Sequence, residues 1–480
     1  MDNASSSLGM NDERRWRCLL SWLKNQHGMD VVDALLVECR DTKDAGKGLF
    51  ATRACPPSTV LFTVPAKAMI NINTLSAIFS PRVREMTAVQ QISLYLLLHR
   101  PAQDEDSLDL VYGPYISTLP RDFSSHPVTW FMKRHTSNEH DTESQLLKSL
   151  PPSVLAALEN LSARFLKDWE VVNKCMNEEP DIMTMSSRSD FNKSGCAGDF
   201  NSVVDDFLWA WLNVNTRCIY YRVTPSQSDP DNLTLCPILD FANHSETPHI
   251  VPVNDLDLPG TKASNKLTRN LTFVCSSDIV EGQQLFLRYG GHPNRTLFVN
   301  YGFLDNFPPN AGAIGEFSAD IDLQDVMEKL FSESRFQSWI RQELEDEGYW
   351  GDWSLHSSPQ PAHPSYRMIT ALRLYHVVES LGPQVPPDSA SDVILRSWKD
   401  TINGRTSSVS EDNERLWRNT LLDICELVAA RARDGMRITL SGSGTSGWYS
   451  WMEENVRCLW REELEVATAV ACSLRAGEEF

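Results

Sequence analysis

No stretch of this chain approaches the roughly 18 consecutive apolar residues that a membrane-spanning helix needs, so no transmembrane segment is expected. Paired cysteines are also missing. The eleven cysteines are scattered, at positions 18, 39, 55, 175, 196, 218, 236, 275, 425, 458 and 472, and none forms a CxxC pair. That excludes the spacing of a zinc site and argues against a disulfide framework, so buried or idle thiols are expected and no metal. Positive charge is short as well: Lys plus Arg number 44 against 64 Asp plus Glu, a net charge of −20. Such a field repels nucleic-acid phosphates, which disfavours direct nucleic-acid binding, and it attracts basic protein segments. The opening MDNASSSLGMNDERRWRC lacks the apolar core of a secretory signal, and no clear basic import run appears. A cytoplasmic or nuclear protein is expected.

At 480 residues, 41% of them hydrophobic, with 14 Trp and 19 Phe, the chain has material for two or three cored domains. Residues 1–38 read as a helical segment, with Trp16, Leu19, Leu20 and Leu23 on one face. The texture then changes to glycines, a double proline and the β-rich run Thr59-Val60-Leu61-Phe62-Thr63-Val64, which predicts short strands and turns. Helical spacing takes over from about 77 to 203. Ile92, Tyr95, Leu96 and Leu98 form one patch and Leu155, Leu158, Leu161 and Phe165 another; Val204, Phe207, Trp211, Val214 and Cys218 form a stripe just beyond. The polar residues 176–200 between these stripes predict a loop, as do residues 251–268. Strand texture returns over 233–250 and 271–290, and the chain is helical after about 306, with a linker at GPQVPPDSASD. This order predicts an α+β fold: a β-rich domain over 39–305 split by a helical insertion, then an all-α domain over 306–480.

The chemistry-bearing groups are few. Gly46-Lys47-Gly48-Leu49 is a turn where backbone can approach a ligand closely, although no third glycine makes it a dinucleotide fingerprint. Asn243-His244-Ser245 ends the apolar run that begins at Pro237, Tyr289 closes the run from Leu285, and Tyr301-Gly302-Phe303 follows twelve residues later. Each alone reads as an ordinary turn or a packing residue before it reads as a functional one.

Taken in order, G-x-G-L-F-A-T-R, Asn215-Thr216-Arg217, L-D-F-A-N-H-S, E-G-Q-Q-L-F-L-R-Y-G and N-Y-G-F resemble the SET domain. The helical insertion, which carries Tyr112-Gly113-Pro114-Tyr115-Ile116-Ser117-Thr118-Leu119-Pro120, and the helical tail resemble the branch typified by Rubisco large-subunit methyltransferase. The resemblance implies a protein-lysine N-methyltransferase that uses S-adenosyl-L-methionine and acts on a protein substrate as a monomer, with pseudoknot-like threading of the strands around 238–303. It implies that Tyr301 and Tyr289 are catalytic tyrosines of the target channel. Gly46, Lys47, Gly48, Leu49, Arg217, Asp240, Asn243, His244 and Phe303 would surround the cofactor, and the last domain would recruit substrate or cap the core. Relatives of this type often carry a glutamate near Asn73, and the loops at 176–200 and 251–268 are larger than expected. Two other readings stand beside this one: a non-catalytic scaffold that binds a partner, and a protein-histidine methyltransferase. The histidine enzyme of the family lacks the tyrosine found here at position 301 and has Asn where this chain has Ile219. The basic substrates suggested by the charge include ribosomal proteins and histone tails.

Overall fold

The computed structural model describes residues 9–42, 46–134, 141–188, 200–253, 269–305, 319–381, 393–437 and 447–480. They divide into two compact units, Met1–Thr129 with Leu161–His292, and Trp130–Asn160 with Pro293–Phe480.

The first unit opens with one helix, Met10–His27, which buries Trp16, Leu19, Trp22 and Leu23 along one face. Asp12 and Glu13 in its first turn and Lys24 and His27 in its last complement the helix dipole, and Gly28 takes the left-handed conformation that ends it. Four short strands follow as one sheet, in the order Val37–Asp41, Lys47–Ala51, Gln284–Leu287, Asn243–His244. The first three pair antiparallel. The last pairs parallel, Asn243 against Phe286 and His244 against Leu287. A second sheet joins Val60–Val64 to Leu271–Cys275 and Ile250–Pro252. The predicted stripes form helices Ala88–Leu98, capped reciprocally by Thr87 and Gln90, and Phe200–Arg217. Asp168 links the two, accepting from Gln90 Nε2 at 2.8 Å and from Trp211 Nε1 at 2.9 Å.

Strand texture over 233–250 translates into much less strand than expected. Only Leu233–Thr234, Asn243–His244 and the start of Ile250–Pro252 are extended, and Leu239–Phe241 is a single turn of 3-10 helix. The turn closes through Asp240 N to Cys236 O and Ala242 N to Leu239 O, bonds a strand would have sent to a neighbour. Of the loop expected at 176–200, residues 176–178 complete the helix Pro152–Glu178 and Asp181–Thr184 is a further helical turn, while 189–199 lie outside the described residues. Residues 254–268 and the linker at 382–392 lie outside them too.

The second unit is predominantly helical, around long helices Glu411–Gly435 and Trp448–Ala476. Gly435 lies against the Trp460 ring so closely that a Cβ there would sit 2.3 Å from it. Trp353, Trp398, Trp417, Leu421, Val428 and Val470 share one apolar core. It is not all-α: strands Asp320–Asp322, Ser354–His356 and His363–Pro364 form a small sheet. Strands of two or three residues are too short to show alternation in a sequence. Part of the expected insertion also belongs here. Trp130 stacks on Trp448 at 5.9 Å, and Trp460 Nε1 donates to Ser149 O at 2.8 Å.

Candidate functional site

In the first unit the candidate residues converge on the edge of the four-stranded sheet. Asn243 reaches from the last strand and donates through Nδ2 to Lys47 O at 3.0 Å, tying together segments 196 residues apart in the chain. Between them sits Gly48, where a Cβ would come within 2.7 Å of Gln284 Nε2 and 3.3 Å of Asn243 Nδ2. Only a glycine lets the two strands approach this closely. Gly46, at φ +67°, supplies the left-handed turn that starts the strand. The Lys47 ammonium points elsewhere, pairing with Asp12 at 2.5 Å and Asp41 at 3.3 Å, so this residue serves the site through its backbone. Leu49 is fully buried between Cys39 and Leu285 and anchors the strand.

The neighbouring residues form a clasp. His244 Nδ1 accepts from Tyr289 N at 3.1 Å, and Tyr289 Oη donates to Ala242 O at 2.9 Å. The two rings lie 5.2 Å apart. Residues 242–244 are therefore held on both sides by one tyrosine. On the exposed side Arg288 pairs with Glu246 at 2.7 Å, leaving His244 nearly enclosed.

Asp240 is the electrostatic centre. Its side chain is almost fully buried, Tyr115 Oη donates to Oδ2 at 3.2 Å, and the Arg217 guanidinium stands 3.9 Å away. Arg217 spends its closest contact on the Asp240 backbone carbonyl rather than on the carboxylate. Burial therefore outweighs the cation and pushes the carboxyl up to about 6. Burial likewise pushes the Tyr115 hydroxyl and the Cys236 thiol well up, which keeps both neutral. Two atoms in this cluster, Asp240 Oδ1 and Arg217 Nε, are buried with no hydrogen-bond partner among the described residues. A native interior pairs such atoms or keeps them for a ligand. Asn73 lies apart, donating to Val223 O at 3.1 Å as part of the turn capped by Asn71.

Tyr301 and Phe303 belong to the second unit. Tyr301 ends the helix Asn294–Tyr301, Gly302 follows at φ +80°, and the Tyr301 and Phe303 rings lie 6.1 Å apart. Burial raises the Tyr301 hydroxyl above its usual range, so it remains a proton-bearing donor at neutral pH.

The structure thus groups Gly46, Lys47, Gly48, Leu49, Arg217, Asp240, Asn243, His244 and Tyr289 in one unit, and Tyr301 with Phe303 in the other. Sequence reasoning gave no role to Tyr115, which holds Asp240 from the insertion, nor to Gln284 beside Gly48. A tyrosine within an apolar helical turn carries no signal of the carboxylate it meets 125 residues later.

Residues 46–290 match the SET domain. The ribosomal lysine N-methyltransferase of Schizosaccharomyces pombe is 29% identical over 367 residues, which cover 76% of this chain and 76% of that one. SET domain-containing protein 4 of Mus musculus is 24% identical over 98% of this chain and 94% of its own. Among solved structures, Rubisco LSMT bound to AdoMet covers 97% of this chain and 92% of its own, with a TM-score of 0.58 at 18% identity, a likeness of fold.

Proposed function

This chain belongs to the SET-domain family, and from that premise we propose that it is a protein-lysine N-methyltransferase that uses S-adenosyl-L-methionine and acts on a protein substrate. The observation that carries the reading is the clasp around Asn243-His244. It joins a backbone edge kept open by Gly48 to a buried polar cluster, Asp240 and Arg217, that retains unspent hydrogen-bonding atoms. Those residues suit a small molecule that has a polar amino-acid end and an uncharged ring system. When bound, S-adenosyl-L-methionine supplies a methyl group on a positively charged sulfur.

The chain's own residues then have defined work. Asn243 and His244 are held rigid by Lys47 O and Tyr289 N, so the donor site needs no reorganisation. Arg217 and Asp240 offer one donor and one acceptor at its polar end. The acceptor lysine must lose a proton before attack, because its ordinary pKa is about 10.4. Tyr301, kept protonated by burial, carries the catalytic hydroxyl that orients the amine, and Tyr289 holds residues 242–244 in place. With the donor bound, a C–N bond would form as the C–S bond breaks, the electron pair staying on sulfur as a neutral thioether and the positive charge passing to the methylated nitrogen, so that the one net proton released is the one lost before attack. The net charge of −20 supports a basic protein substrate drawn by long-range attraction.

Tritiated S-adenosyl-L-methionine added to a cell extract with the full chain should label a protein, and mass spectrometry of that protein should place the methyl group on lysine. Methyl on histidine would overturn the acceptor assignment. A folded chain that labels nothing and binds no donor would instead support the scaffold reading.

A further inference from the structure

The helix that ends in Tyr301 is held at its start by a residue the reaction itself does not use. Asn294, its first residue, is buried at 7% exposure, and its side-chain amide faces two ways. Nδ2 donates to Glu462 Oε2 at 2.8 Å, while Oδ1 accepts from the backbone N–H of Asp305 at 2.9 Å. Asp305 lies just beyond the Tyr301-Gly302-Phe303 turn, so one side chain closes a ring over the whole twelve-residue segment Asn294–Asp305. Glu462 lies on the helix Trp448–Ala476 and is itself buried, at 3% exposure. The neighbouring Arg295 fixes the same helix start to Asp322 at 2.5 Å.

We propose that Glu462 and Asn294 are positioning residues for the Tyr301 hydroxyl, through which the helix Trp448–Ala476 of the second unit sets the aim of the catalytic turn. This rests on the reading of Tyr301 as catalytic. The choice of side chain is specific. An asparagine amide gives a donor on one side and an acceptor on the other, whereas an aspartate at the same place would offer only acceptors to another carboxyl group. The left-handed Gly302 makes the turn pliable, because glycine alone relaxes at that φ. A ring closed by Asn294 therefore decides where Tyr301 and Phe303 rest, and a catalytic hydroxyl displaced by about 1 Å loses up to about a hundredfold in rate. Glu462 needs only to accept a hydrogen bond, which a glutamine at that position would also do.

The test uses full-length protein, tritiated S-adenosyl-L-methionine and a cell extract as methyl acceptor, with amide hydrogen exchange read over residues 302–305. Asn294→Ala should expose the Asp305 amide to exchange and lower the labelling rate roughly tenfold or more, while thermal unfolding shows a folded protein. Glu462→Ala should slow labelling in the same direction, and Glu462→Gln should retain most of the rate. If Asn294→Ala fails to fold, the contrast between Glu462→Ala and Glu462→Gln decides the matter alone. A folded Asn294→Ala with its rate and its Asp305 protection intact overturns the proposal, as does a Glu462→Gln protein as slow as Glu462→Ala. Should Tyr301→Phe keep the full rate, the assignment of Tyr301 fails, and this shows separately from the exchange at Asp305.

Discussion

The two units of this chain solve the problem of holding side chains still by different means. In the second, a broad apolar core containing Trp353, Trp398, Trp417 and the faces of two long helices does the work, and removing water from that surface is the stabilising force. In the first, around the candidate site, strands of two to five residues bury only a few apolar side chains each, such as Leu49, Ala51 and Leu285, and side-chain to backbone hydrogen bonds stitch the site together: Asn243 to Lys47, Tyr289 to Ala242, Arg217 to Asp240. The contrast separates stability from function. Apolar packing tolerates repacking but pays heavily for cavities, whereas a stitched site loses little stability with each bond and much of its geometry.

The largest effect expected is on the apolar side. Trp398 is fully buried and its Nε1 donates to Thr370 O at 2.9 Å. Trp398→Ala should destabilise the second unit by about 3–5 kcal/mol in calorimetric unfolding, and a loss below about 1 kcal/mol would show that the core is not what holds this unit.

Next in size is a pH effect. Glu462 and Glu463 are pushed up to about 8 and about 7 by burial, with Asp320 facing Glu462 and raising it further, and with Arg295 and Arg431 opposing. Because the folded protein keeps these protons above the ordinary carboxylate range, their stability term is fully present at low pH and is lost as pH rises through about 7 to 8. Glu462→Gln should therefore raise the unfolding free energy at alkaline pH by an amount on the order of 2 kcal/mol, and with it the melting temperature, and leave both nearly unchanged in acid. Asp240→Asn should show the same sign in the first unit, with its step lower, near pH 6, where that carboxyl titrates. Melting curves for both variants across pH check the two steps, and a step in the opposite direction would break the assignment.

A smaller change is expected from Asn243→Ala. One hydrogen bond is lost and stability should fall by about 1 kcal/mol. The smallest belongs to Arg341 and Glu345, an exposed pair one helical turn apart, whose removal should change unfolding by less than about 0.5 kcal/mol.

Legibility in the sequence follows the same division. Leu421, Ile424 and Val428 repeat at helical spacing because they face one core, and that periodicity survives without knowing any partner. The turn Leu239–Phe241 does not, because it is set by Pro237, by the positive φ at Ile238 and by a buried carboxyl whose partners lie 23 and 125 residues away. The candidate residues themselves were readable as an ordered set of motifs. What bound them was not: Lys47 anchored through Asp12, Tyr289 spending its hydroxyl on Ala242, and Asn294 closing over the turn that follows Tyr301 are all contacts between residues whose types carry no mutual signal.

The stitched edge of the first sheet is held to be a seat for S-adenosyl-L-methionine, and titration calorimetry of the full chain with that molecule tests this most directly. The purified protein should bind it, and Asn243→Ala, still folded, should bind it roughly tenfold more weakly or worse. Binding of equal strength by both proteins, or none by the unaltered one, would contradict it.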